Sequence, residues 1–208
     1  MIDQTTLITY LAVLLGFVFI PGPAVLLTLA RASSGGTRVG IATGLGIAVG
    51  DIIHTAMVVL GLSAVILASA FLFNLVKYLG AAYLIYLGIR AILERPHDPH
   101  LSAAPRMTPA RALRQAILAE VLNPKSAMFF LAFLPQFVNP ANGAVALQLT
   151  ILGVLFVALG LLSTVVVAVS AGSVGSFLRR NPGIFRWQGK FTGTIFCALG
   201  VRLALQEK

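Results

Sequence analysis

The chain has 208 residues, 58% of them hydrophobic and only 10% charged, with a mean hydropathy of +0.96. A soluble domain carries about a quarter charged residues, so an ordinary water-facing surface is excluded, and the apolar residues come in long blocks of the kind that cross membranes. The net charge of +9 does not point to nucleic acid, because the basic residues stand between the apolar blocks, and the single Cys197 excludes a disulfide framework or a CxxC redox pair.

The N-terminal "MIDQTTLITY" has no basic region and reads as the start of the first membrane segment rather than a cleaved signal peptide. Six apolar segments follow: 7–30, 40–68, 71–93, 113–138, 145–174 and 184–205. Each is long enough for about 30 Å of hydrocarbon at about 1.5 Å per residue. The apolar part of the sixth begins only at Phe191, so a five-span chain is the alternative. Between the third and fourth lies the one long polar stretch, "RPHDPHLSAAPRMTP". Eleven of the fifteen Lys and Arg residues fall in the first, third and fifth loops. The excess of positive charge places these loops in the cytoplasm and both termini outside.

The first segment contains "FIPGPAVLLTLARA", with Pro21, Gly22 and Pro23 in the middle of an apolar run. The fourth contains "VLNPKSAMFFLAF", broken at Pro124. The two breaks are 103 residues apart, and the same offset carries Gly40 onto Gly143. A second echo aligns "YLGAAYLIYLGIRAIL" with "FTGTIFCALGVRLAL". Three spans per half is an odd number, so the second half enters from the opposite face. The expected fold is an all-α polytopic membrane protein. Six transmembrane helices form two inverted three-helix repeats, 1–94 and 111–208, joined by a cytoplasmic loop at 95–110, with proline-broken first and fourth helices.

Helices broken in matching positions of inverted repeats form binding sites near the bilayer midplane. Pro23 suits the first position of a new half-helix, and Asn123–Pro124 reads as an N-cap followed by that position. Each break leaves unpaired N–H groups and a positive dipole end where water is absent. A substrate carboxylate fits both, so Pro21, Gly22, Pro23, Asn123, Pro124 and Lys125 are the expected binding residues. A kink patched by neighbouring helices is the alternative.

Asp51 lies thirteen residues past Arg38, about 20 Å into the membrane at helical rise. Such carboxylates usually mark an ion or proton path. His54, one turn on, can share a proton with it, so Asp51 and His54 are the expected proton-coupling pair. The alternative is that Asp51 caps broken backbone nearby. Lys125 lies about 16 Å past Arg114, near the midplane. Glu120 is free to pair with Lys125 or Asp51, or to contact substrate. Gly40, Gly44, Gly46 and Gly50 make overlapping small-xxx-small patterns, whose plainest meaning is close helix packing. Tyr83, Tyr86, Phe129 and Phe130 read as packing residues, and Trp187 as an interface anchor.

The stretches "PGPAVLLTLARASSGG", "GIATGLGIAVGD" and "LNPKSAMFFLAFLPQFV" resemble the LysE/RhtB family of bacterial amino-acid exporters, over essentially the whole chain. The resemblance implies a six-span, non-enzymatic inner-membrane exporter of amino acids or close derivatives, driven by proton exchange and often dimeric. It carries over Pro21, Gly22, Pro23, Gly50, Asp51, Asn123, Pro124 and Lys125. The expected partners are an amino acid, protons, the lipid bilayer and a second copy of the chain, with no nucleic acid, metal or cofactor. Three other readings stand beside it. A metal-cation exporter in the same superfamily would need more converging carboxylates or thiols than Asp51 and Glu120. An intramembrane enzyme lacks a Ser–His pair, since Ser63 and His54 are about 13 Å apart along one helix. A structural scaffold would not need buried charge.

The charge asymmetry generates a labelling test. In sealed cells, engineered cysteines at positions 3 and 207 should react with a membrane-impermeant thiol reagent, and one at position 103 should not. Reaction at 103 would invert the topology.

Overall fold

The computed structural model describes residues 2–19, 22–68, 70–93, 107–181 and 183–205. Nine α-helices and three short non-α turns account for the secondary structure among these residues. Most of the 95–110 loop lies outside them.

Helix α1 (Gln4–Phe19) starts at Asp3, whose carboxylate accepts from the Thr6 N–H at 2.9 Å and the Thr6 hydroxyl at 2.7 Å. Helix α2 (Pro23–Gly35) begins at Gly22, with Pro23 in its first turn. It ends at Gly36, whose φ of 85° lies in the left-handed region that glycine tolerates. That turn leads at once into α3 (Thr37–Ala68). Helix α4 follows (Ala70–Leu93), and α5 (Pro109–Val121) opens on a Thr108 cap. The cap explains why the fourth segment starts four residues earlier than its apolar run. Helix α6 (Pro124–Met128) opens on Asn123 and passes into a π turn (Phe129–Phe133) and a 3-10 turn (Leu134–Phe137).

A second 3-10 turn (Pro140–Asn142) precedes α7 (Val145–Val169). Gln148 on α7 clamps this connection. Its side chain accepts from the Asn139 N–H at 3.1 Å and donates to the carbonyls of Asn139 and Gly143 at 2.9 and 3.2 Å. The fifth apolar segment is shorter than its 145–174 reading, because α7 stops at Ser170 and a separate helix, α8 (Ala171–Arg180), begins directly after it. Helix α9 (Gly183–Leu205) completes the fold.

Thr37–Gly61 and Val145–Val169 are each long and apolar enough to cross a membrane. Each bent pair also qualifies when taken as one span: Gln4–Val18 with Pro23–Gly35 bends by 45°, and Pro109–Val121 with Lys125–Phe137 by 54°. That gives up to four crossings among the described residues. The expected six add α4 and α9, 24 and 23 residues long.

Lipid is as apolar as leucine, so helices in a membrane associate by close packing rather than by expelling water. The glycines of α3 are placed for this. A Cβ at Gly40 would fall 2.9 Å from the Cβ of Ala168, and one at Gly44 would fall 2.7 Å from the Thr164 hydroxyl. These contacts and that of Thr55 with Gly153 set α3 antiparallel to α7. The other face of α3 runs parallel to α5, where Gly46 meets Ala116 and Gly50 meets Glu120. In the same manner α4 runs antiparallel to α9, Gly88 meeting Gly193 and Gly200 meeting Ala81. Helix α1 runs parallel to α7, with the buried Tyr10 hydroxyl donating to the Leu152 carbonyl at 2.7 Å.

The space between α1, α7 and the α6 region is filled by aromatic rings. Phe129 contacts Phe17 and Phe133 at 4.5 Å between centroids and Phe156 at 4.8 Å. Phe129 and Phe130 are thus packing residues. Tyr86 differs from its reading: it is 54% exposed and touches Tyr83 at the outside of α4. Trp187 is exposed, with Lys190 5.6 Å over its ring.

The glycine contacts generate a stability test. A Cβ at Gly46 would lie 2.4 Å from the Leu113 carbonyl oxygen, so Gly46→Ala forces α3 and α5 apart and should cost about 1–3 kcal/mol. At Gly61 an added Cβ meets nothing within 4 Å, so Gly61→Ala should be neutral or gain up to about 1 kcal/mol. Thermal unfolding in detergent compares the two, and equal effects would show that the α3–α5 approach carries no special weight.

Candidate functional site

The two helix breaks face one cavity. From the first come Gly22, Pro23, Ala24 and Val25, and from the second Glu120, Asn123, Lys125 and Ser126. Helix α3 adds Asp51 and Ile47, and α7 adds Phe156, Gly160, Ser163 and Thr164; Phe17 and Val18 close the α1 side. Of the residues singled out in the sequence, Gly22, Pro23, Asn123, Lys125, Glu120 and Asp51 line this one cavity. Pro124 opens α6 between Asn123 and Lys125. Pro21 lies outside the described residues.

The breaks are finished differently. At α6 the Asn123 Oδ1 accepts from the Lys125 N–H at 3.0 Å, satisfying one of the free donors of the first turn. The Glu120 carboxylate accepts from Asn123 Nδ2 at 3.3 and 3.4 Å and from the Ser126 hydroxyl. This helix start is therefore already supplied with an oxygen cap and an anion by the chain itself. At α2 the residue before Pro23 is Gly22, and no side chain caps the helix. The α2 start is the one left to attract an external anion.

The carbonyl ends of the breaks are also bonded from outside. Pro124 has no N–H to give the Glu120 carbonyl. That oxygen accepts instead from the Asn123 N–H at 3.0 Å and from His54 Nε2 at 3.0 Å. A carbonyl only accepts, so His54 carries its proton on Nε2 here. At the first break the Val18 carbonyl accepts from the Ser163 hydroxyl at 3.1 Å. His54 is therefore directed at the second break, stacked on Phe130 at 5.5 Å, and does not line the cavity.

The charged groups in the cavity have unequal company. Glu120 is held as described. The Lys125 ammonium lies 4.4 Å from the centroid of Phe17, a cation–π distance. Asp51 is 3% exposed, and its Oδ1 is buried with no hydrogen-bond partner among the described residues. Sequence reasoning missed Ser126, Ser163, Thr164, Phe17 and Phe156. The hydroxyl residues carried a signal, since a Ser–Thr pair inside "LLSTVVV" must find acceptors where water is absent. The two phenylalanines did not differ from any other apolar residue.

The model of the LysE type translocators matches residues 15–207, and the chain belongs to that family. It is 30% identical to an uncharacterized membrane protein of Vibrio cholerae over 95% of both chains. It is 29% identical to one of Bacillus subtilis, over 96% of this chain and 99% of the relative. A leucine efflux protein of Salmonella typhimurium is 25% identical, over 94% and 93%. No solved structure matches significantly. The chain is accordingly a multi-pass membrane protein of a translocator family.

Glu120 offers a test of what holds the second break. Glu120→Gln keeps an oxygen for Ser126 and Asn123 and should leave stability nearly unchanged. Glu120→Ala strands both donors and should cost about 1–3 kcal/mol in thermal unfolding. Identical melting of the two variants would remove Glu120 from the architecture of the break.

Proposed function

We propose that the protein exports an amino acid, or a close derivative, from the bacterial cytoplasm in exchange for protons. The observation that carries this reading is the cavity itself, lined between two broken helices by an uncapped helix start, a lysine and an aspartate whose Oδ1 has no partner among the described residues. The N–H groups at the start of α2, with Lys125 beside them, suit the substrate carboxylate. Phe17, Val25, Ile47 and Phe156 offer an apolar wall for a side chain. Asp51 is the group that exchanges the proton, and His54 acts through the break it braces.

The two halves are read as inverted repeats about an axis in the membrane plane. The like-with-like antiparallel pairs support this, α3 with α7 and α4 with α9. So does the exchanged parallel pairing of α1 with α7 and α5 with α3. Rocking of one half against the other would then expose the cavity to each side in turn. The basic residues favour an orientation with loops one, three and five in the cytoplasm.

Purified protein in liposomes should exchange labelled amino acids in counterflow, faster with a pH gradient. Leucine heads the panel because a relative is a leucine efflux protein. Lys125→Met should weaken binding of the zwitterion about 10- to 100-fold, the loss of a charged hydrogen bond, while melting near wild type. The amine lacking the carboxylate should be a poor substrate. An amine transported as well as its parent would remove the carboxylate site, and absence of amino-acid flux across the panel would remove the function.

A further inference from the structure

Two buried side-chain atoms have no hydrogen-bond partner among the described residues, Arg31 Nη1 and Asp51 Oδ1. Arg31 is tied by its other arm to Gln115 at 3.0 Å, and it does not line the cavity. Asp51 does line it. An anionic oxygen without a donor in a low-dielectric interior is a costly state that a cation relieves.

The neighbours of Asp51 are all engaged elsewhere. On its own helix, His54 is bonded to the Glu120 carbonyl, and the Thr55 hydroxyl donates to the Asp51 main-chain carbonyl at 2.8 Å. From α5, Glu120 is held by Asn123 and Ser126, and from α6 the Lys125 ammonium lies over Phe17. From α7, Ser163 donates to Val18, and Thr164 donates to the Gly160 and Leu161 carbonyls at 3.0 Å. Helix α2 gives the cavity no titratable side chain: its lining residues are Pro23, Ala24 and Val25. Among the described residues, none of these groups is left to satisfy that oxygen.

We propose that Asp51 is occupied in turn by the exchanged proton and by the ammonium group of the amino acid, so that competition for one carboxylate couples the two fluxes. This rests on the amino-acid exchange reading above and specifies how it works. An α-amino acid carries its ammonium and carboxylate on one carbon. The cavity is lined both by Asp51 on α3 and by the uncapped start of α2, which supplies a partner for each group. When the zwitterion enters, the O–H bond of the Asp51 carboxyl breaks and the proton leaves to water. An N–H of the substrate then donates to Oδ1, and no covalent bond forms. On the other side of the membrane the proton returns and displaces the ammonium. Glu120 does not serve this role, since both its oxygens already accept from the chain.

The test uses purified wild-type protein in lightly buffered detergent solution with a pH-indicating dye. On the acid side, where the free protein carries the proton on Asp51, saturating L-leucine should release close to one proton for each leucine bound, and its apparent affinity should there weaken by about tenfold per pH unit. The desamino analogue 4-methylpentanoate should release none, and its binding should not follow Asp51. Asp51→Asn, checked for wild-type melting, should lose both proton release and most leucine affinity. Leucine binding without proton release would overturn the inference and leave the amino-acid reading standing. So would wild-type leucine affinity in Asp51→Asn. Absence of any leucine binding would overturn both.

Discussion

Inside a bilayer every backbone N–H and C=O must find a partner within the protein. A continuous helix meets that demand by itself, and a helix broken by proline does not. The first and fourth segments are broken at Gly22–Pro23 and at Asn123–Pro124, and much of the surrounding architecture answers those interruptions. Ser163 reaches across from α7 to the last turn of α1, and His54 reaches from α3 to the last turn of α5. Each break is thus finished by the long apolar helix that follows the other one. Both breaks gain these cross-chain partners only when the two parts of the chain are docked, so the geometry of the cavity and that docking are one problem with one solution.

Helix α3 is where that docking is set. Its glycines let α7 approach on one side and α5 on another, closely enough that no Cβ would fit. Asp51 is the next residue after Gly50, which is in contact with Glu120. The carboxylate is therefore positioned by packing rather than by hydrogen bonds. A side chain located by backbone contacts can keep its place while its own ligand changes, which a group pinned by donors cannot do.

The sequence made much of this readable, for physical reasons. Apolar block length is set by the bilayer, so the segments match the helices to within about five residues, with the largest shifts at Gly35, Thr108 and Ser170. Proline has no N–H, so the breaks at Pro23 and Pro124 could be placed to the residue. Buried charge is costly in lipid, which drew attention to Asp51, Glu120 and Lys125 before any contact was known. What remained hidden was direction. Period alone put His54 on the face of Asp51, yet its ring is turned to a carbonyl on another helix. The asymmetry between the breaks was also hidden, because Glu120 lies in sequence before the second break and only folding brings its carboxylate back over Asn123 and Ser126.

Oδ1 of Asp51, without a partner among the described residues, also has an electrical meaning in the proposed exchange. A zwitterion carries no net charge and a proton carries one, so trading them one for one at a common carboxylate moves one positive charge across the bilayer with each turnover. In the proposed exchange, the resting membrane voltage would then act on export directly, at about 2.3 kcal/mol per 100 mV for each charge moved. Outward transport of a neutral metabolite would continue when the external medium has the same acidity as the cytoplasm, and it would slow when the voltage alone collapses.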